Sequence, residues 1–155
     1  MSRLTWLIWL LLPVGMWGVI YVANLPPDNL YQPYNVTCES DGWTHFVSNK
    51  DVPINGSEVN LYTASLLHRE VCTPGVLSLT ARGTSVRGEY PLMVITLNDQ
   101  ALLSARVSRE RQYQVRVPGR GLLSIAFTND AVWPETGTAT EDRNLFISKI
   151  RFAPN

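Results

Sequence analysis

The sequence predicts an all-β fold, an antiparallel β-sandwich, preceded by a single N-terminal transmembrane helix. Three observations carry that prediction. Residues 4–27 contain no Asp, Glu, Lys or Arg and are rich in Leu, Ile, Val and Trp. From residue 76 onward, short runs of β-branched and aromatic residues alternate with turn residues, the pattern of a sandwich or barrel. Outside the first segment no sustained helical period occurs.

The first element is Leu4–Ala23. At about 1.5 Å rise per residue a helix of that length spans roughly 30 Å, the hydrocarbon thickness of a bilayer. A cleavable signal peptide competes, but its cut site requires two small residues spaced one apart. Ala23 supplies one of them and bulky Tyr21 occupies the other position. The expectation is therefore an uncut anchor over residues 1–27. Arg3 on one side and Asp28 on the other place the N-terminus in the cytoplasm and the rest of the chain outside it, in periplasm or extracellular space. Trp6 and Tyr21 sit near the two ends, where aromatic rings favour the headgroup level of the lipid. Pro13 frees a backbone carbonyl, and Gly15 and Gly18 leave a shallow notch about one helical turn apart. Either the helix packs there on a partner helix, or it is a lone anchor with a mild kink. The span holds no histidine, so it offers no imidazole to a pigment or a haem.

A stalk over residues 28–37 follows, and a domain over residues 38–155. Cys38 and Cys72 are the two cysteines of the chain. Outside the cytoplasm such a pair reads as a disulfide, since a metal or redox site would need further ligands or a CxxC spacing. Residues 38–75 suggest two strands, around Thr44–Val47 and Glu58–Thr63. Six more are expected at Val76–Arg82, Pro91–Leu97, Ala101–Val107, Gln112–Val117, Leu122–Thr128 and Leu145–Phe152. Turn residues at Arg82–Thr84, Asn98–Asp99 and Pro118–Gly119, and a loop at 129–143, separate them.

Composition removes several functions. Thirteen basic residues balance thirteen acidic ones, so a nucleic-acid binder driven by bulk charge is excluded. Two cysteines and two histidines are too few for a zinc finger. His45 and His68 are accompanied by no nucleophile elbow, and the glycines read as turns rather than a phosphate-binding loop. The expectation is that the chain is not an enzyme.

One loop is chemically unusual. Asn129, Asp130, Glu135, Glu141, Asp142 and Asn144 crowd the connection between two strands, interrupted by a single basic residue, Arg143. Clustered hard oxygen donors suit calcium; the alternative is a solvated acidic loop.

The residues of that loop also carry a resemblance. Phe127-Thr128-Asn129-Asp130, followed by Glu141-Asp142-Arg143-Asn144-Leu145, resembles the calcium-dependent xylan-binding type of carbohydrate-binding module. Its members carry an F-x-N-D strand end and a D-R-N-L strand start. Ala81-Arg82-Gly83-Thr84 and Gly88-Glu89-Tyr90-Pro91 are similar to the family's first strands and turns, and the resemblance covers residues 76–152. It implies a jelly-roll sandwich with a calcium ion held by this loop. Asp130, Asp142 and Asn144 would be the principal ligands, with Asn129 and Glu89 as further members. Trp133 would support a sugar ring. Plainer readings stand beside these: Asn129 and Asn144 as strand caps, Arg143 as an ion-pair partner of Asp130 or Asp142, and Trp133 as a plug against a partner surface. Family members are usually attached to a glycanase catalytic domain, which does not accompany the module in this sequence.

Two function classes therefore compete. One is a membrane-anchored glycan-binding module. The other, preferred from sequence, is a non-catalytic single-span subunit of a bacterial membrane complex, contacting lipid and other membrane subunits. In layout it is similar to the small subunits around photosynthetic reaction centre and light-harvesting complexes. The Gly15/Gly18 notch and the unaccompanied module motivate that preference; the basic skew of residues 82–120 suits either an acidic partner surface or the solvated face of a sheet.

Overall fold

The computed structural model describes residues 36–39, 42–47, 50–54, 56, 58–134 and 141–155. The expected anchor, with Gly15 and Gly18, and the stalk up to residue 35 lie outside the described residues. Among the described residues no helix is long and apolar enough to cross a membrane.

The described chain is all-β and antiparallel. Its strands are β1 (Thr44–Val47), β2 (Lys50–Pro53), β3 (Glu58–Leu61), β4 (Ser65–Val71), β5 (Gly75–Gly83) and β6 (Leu92–Leu97). They continue as β7 (Gln100–Arg106), β8 (Arg111–Val117), β9 (Gly121–Phe127), β10 (Val132–Trp133), β11 (Glu141–Asp142) and β12 (Leu145–Pro154). One sheet has the order β2-β1-β4-β9-β6-β7, a second the order β3-β12-β5-β8, and β10 and β11 form a small ribbon.

Alternation decides which side of each strand is buried, because successive side chains point to opposite faces. Met93, Ile95 and Leu97 of β6 and Leu123, Ile125 and Phe127 of β9 supply the first sheet's apolar face. Leu77, Leu79 and Ala81 of β5, Val115 and Val117 of β8, and Leu145 and Ile147 of β12 supply the second sheet's. These residues belong to one hydrophobic core, so the two sheets form a sandwich-like pair of layers.

The six strands expected after residue 75 are present with ends shifted by a residue or two. In the earlier region β1 and β3 match the expected positions, whereas β2 and β4 were not anticipated. Strand β4 reads Ser-Leu-Leu-His-Arg-Glu-Val, with Leu66 and Leu67 adjacent and three polar residues in a row. Its alternation is masked because Leu66 lies on the outward side while Arg69 shares the side of buried Leu67 and Val71.

Cys38 and Cys72 are joined as a disulfide. The Cys38 N–H also donates to Glu70 Oε2 at 2.7 Å, and Arg120 Nη2 donates to the Val36 carbonyl. The strip 36–39 is thereby tied to the end of β4 and to the β8–β9 turn. Closing a loop of about 35 residues stabilises by roughly 3–4 kcal/mol in the chain-entropy estimate. Reduction, or Cys38→Ser with Cys72→Ser, is expected to lower unfolding stability by that amount in urea titrations. An unchanged midpoint would show that the bond constrains nothing in the unfolded chain.

Candidate functional site

The site lies where β9 leaves the core and β12 enters it. Phe127 is the last buried residue of β9, and Leu145 the first of β12. Between them the chain runs out along β10 and returns along β11, with Val132 opposite Asp142 and Trp133 opposite Glu141.

Arg143 organises this region. It is 6% exposed, and its guanidinium serves three acceptors. Nε donates to the Glu89 carbonyl at 3.0 Å, Nη1 to the Asn129 carbonyl at 2.7 Å, and Nη2 to Glu89 Oε2 at 3.2 Å. Its backbone N–H donates to the Ala131 carbonyl at 2.9 Å. One planar fork thus holds the turn before β6 and the end of β9 together. Asn129 adds a second tie, since Oδ1 accepts from the Leu92 N–H and Nδ2 donates to the Tyr90 carbonyl.

Because side chains alternate along extended backbone, the inward course of Arg143 and Leu145 sends Asp142 and Asn144 to the same opposite side. Asn144 Nδ2 donates to Asp142 Oδ2 at 3.1 Å. That bond fixes the amide orientation and leaves Asp142 Oδ1 and Asn144 Oδ1 as the outstanding acceptors. Both atoms are buried, and neither has a hydrogen-bond partner among the described residues. Thr84, just beyond β5, clamps the pair from below. Its Oγ1 donates to the Asp142 carbonyl at 2.6 Å and accepts from the Asn144 N–H at 2.9 Å. Sequence reasoning gave Thr84 no role, although it is the last letter of the A-R-G-T motif. Gly83 permits this packing, because a side chain there would strike the Pro91 ring and the Val107 carbonyl.

Asp130 faces the same place. Burial pushes its carboxyl above the ordinary value and the neighbouring Asp142 charge adds to the shift. The Ala131 N–H, the Arg143 charge and the Ala64 N–H oppose it. The two carboxylates, one of them carrying the orphaned Asp142 Oδ1, together with Asn144 Oδ1 form an electron-rich site.

The structure brings together Asp130, Asp142 and Asn144, and gives the other two candidates different work. Glu89 turns its carboxylate to Arg143, and Asn129 spends its amide on the 90–92 backbone. Among the described residues no group of three or more His, Cys, Asp or Glu forms a metal cluster. Asn144 and backbone carbonyls would therefore have to complete any set begun by the two aspartates, a composition hard cations accept. Glu135 lies outside the described residues.

Trp133 stands at the rim, 43% exposed. The Arg87 guanidinium covers its ring at 4.7 Å, and the Arg87 N–H donates to Glu141 Oε2 at 2.6 Å. A half-exposed indole paired across the ribbon with Glu141 can stack on an apolar ring face. The third buried atom without a partner among the described residues, His45 Nε2, belongs to β1, and burial pushes that imidazole below its ordinary value.

Residues 76–155 match the family described as Ca-dependent carbohydrate-binding module xylan-binding. No curated protein matches the chain. Among solved structures it is similar to the secreted serine protease VesC from Vibrio cholerae, at 13% identity and a TM-score of 0.49 over 66% of this chain. The chain spans 22% of the length of that protein.

Arg143→Lys keeps the charge and loses the fork. It is expected to cost about 2–3 kcal/mol, the scale of breaking charged hydrogen bonds at a buried cation. A denaturation midpoint within error of the parent would contradict the role assigned to the guanidinium.

Proposed function

The chain belongs to the family of Ca-dependent, xylan-binding carbohydrate-binding modules, and from that premise we propose that it binds glycan through a calcium site at Asp130, Asp142 and Asn144. The observation that carries the proposal is the pair of buried acceptors without partners, Asp142 Oδ1 and Asn144 Oδ1. Leaving such an oxygen unsatisfied costs about 1–3 kcal/mol, and two on one face are compensated by a cation that both can ligate. When bound, calcium would supply coordination positions that sugar hydroxyls can occupy.

The protein's own residues do the rest. Arg143 and Thr84 hold the two ligand-bearing residues rigid, so the site is organised before ligand arrives. Asp130 and Asp142 provide the negative charge, and Trp133 provides the stacking surface for a sugar ring. The strand orders β3-β12-β5-β8 and β4-β9-β6-β7 are those of an eight-strand jelly roll, with β1 and β2 added at one edge.

The sequence preference for an assembly subunit gives way to the glycan reading. Family membership favours a sugar ligand, and nothing in the fold or the family points to a photosynthetic complex. The proposal keeps residues 1–27 as membrane anchor, 28–37 as stalk, and 38–155 as a domain outside the cytoplasm. The disulfide supports that compartment.

Two outcomes are expected. Calcium at about a hundredfold excess over its dissociation constant should stabilise the chain by about 2.7 kcal/mol, and chelator should remove that gain. Asp142→Asn with Asn144→Ala should abolish the response; calcium-independent melting of the parent would end the metal claim. Separately, Trp133→Ala should weaken retention on xylan in affinity electrophoresis by about tenfold, the scale of one lost stacking contact, with little change in melting. Unchanged retention would remove the indole from the binding surface.

A further inference from the structure

A hollow lies on the outer face of the four-stranded sheet, away from the core and distinct from the Asp142–Asn144 cluster. It is a cavity of about 330 Å³ lined by Ser78, Thr80, Gln112, Gln114, Lys149 and Arg151, among others. Register explains the assembly. Ser78 lies opposite Gln114 and Thr80 opposite Gln112 across β5 and β8, and Arg151 lies opposite Ser78 across β12 and β5. Thr80 is 6% exposed despite facing outward, so it is part of the floor of a depression and not of a flat surface.

Strand β12 is bent to serve this hollow. Ser148 pairs with Thr80 and Arg151 with Ser78, so β12 spends three residues where β5 spends two. The extra residue is a β-bulge, and Lys149 takes a left-handed backbone at φ 54° within it. Simple alternation would send Lys149 and Arg151 to the face of Leu145 and Ile147, into the core. The bulge instead turns Ile150 toward the core and brings both cations to the outer face. Neither has an ion-pair partner among the described residues. Two cations over a floor of neutral amides and hydroxyls, with Leu79 and the Tyr113 ring beside them and no acid in the lining, form a receptor for an anion that also carries hydroxyl groups and an apolar ring face. A neighbouring hollow of about 160 Å³ shares Thr80, but Glu58 and Glu110 line it, so the anion-accepting surface is confined to the hollow beside Lys149 and Arg151.

We propose that this face is a second glycan-binding surface, with Lys149 and Arg151 receiving the carboxylate of an acid-bearing sugar in a polysaccharide. The choice of a sugar as the carrier of that carboxylate rests on the carbohydrate-binding reading above; the anion site itself does not.

The test is calorimetric titration of the full chain in a polyoxyethylene detergent, which contains no sugar, with chelator present so that the calcium site is silent. The probes are trigalacturonate, its neutral methyl ester and triglutamate. Trigalacturonate should bind in chelator. Binding should fall by about tenfold or more for the methyl ester and for the Lys149→Gln, Arg151→Gln double variant, the scale of lost charged hydrogen bonds. Asp142→Asn should leave it unchanged. Both substituted cations are on the surface, and an unaltered melting curve verifies that the variant is folded. No binding of trigalacturonate, no loss in the double variant, or dependence on Asp142 overturns the proposal. Equal binding of triglutamate also overturns it, by showing a general polyanion site. Calcium-dependent retention on neutral xylan, measured in parallel, reports on the first site alone, so the two readings fail independently.

Discussion

The buried guanidinium of Arg143 is the constraint on which this end of the molecule depends. A cation taken from water is tolerated only when its donors are satisfied, and here three acceptors from two separate turns converge on it. The turn at Glu89 and the strand end at Asn129 are consequently fixed relative to β12. The geometry of the neighbouring oxygen cluster follows from that fixation. A lysine at this position could satisfy the charge but could not span the same acceptors.

From that anchor the four residues Asp142–Leu145 divide by the two-residue period of extended backbone. Arg143 and Leu145 are consumed by the interior, one through hydrogen bonds and one through the apolar core. Asp142 and Asn144 are left facing away with one oxygen each unspent. The same period, broken once by the bulge after Ser148, separates the functions of β12 along its length. The residues leading into it present the oxygen pair, and its second half presents Lys149 and Arg151 to the sheet's outer face.

Much of this was legible in the sequence because β-strands with one buried face write their alternation openly. Met93-Val94-Ile95-Thr96-Leu97 could be read directly, and so could the D-R-N-L motif. Strand β4 was not legible, because an apolar Leu66 on its outer side and Arg69 on the side of Leu67 and Val71 leave no clean period. The bulge in β12 was hidden too, since Lys149 and Ile150 look like ordinary alternating residues until their register with β5 is known. Glu89 and Asn129 were grouped with the ligands through the family resemblance. Only the fold reveals that Glu89 Oε2 accepts from Arg143 and that Asn129 Oδ1 accepts from the Leu92 N–H. Thr84 was missed for the converse reason, as its role depends on contacts nearly sixty residues away along the chain.

Family membership and geometry now converge on a sugar-binding module, in place of the subunit role that the apolar N-terminal segment had suggested. The central claim is that Asp142 Oδ1 and Asn144 Oδ1 are calcium ligands. A crystal structure grown in calcium, with anomalous difference density collected at long wavelength, tests it most directly. The account predicts a single peak about 2.3–2.6 Å from both oxygens, with an Asp130 oxygen in the same shell. An ordered water in that position, with no anomalous signal at millimolar calcium, would contradict it.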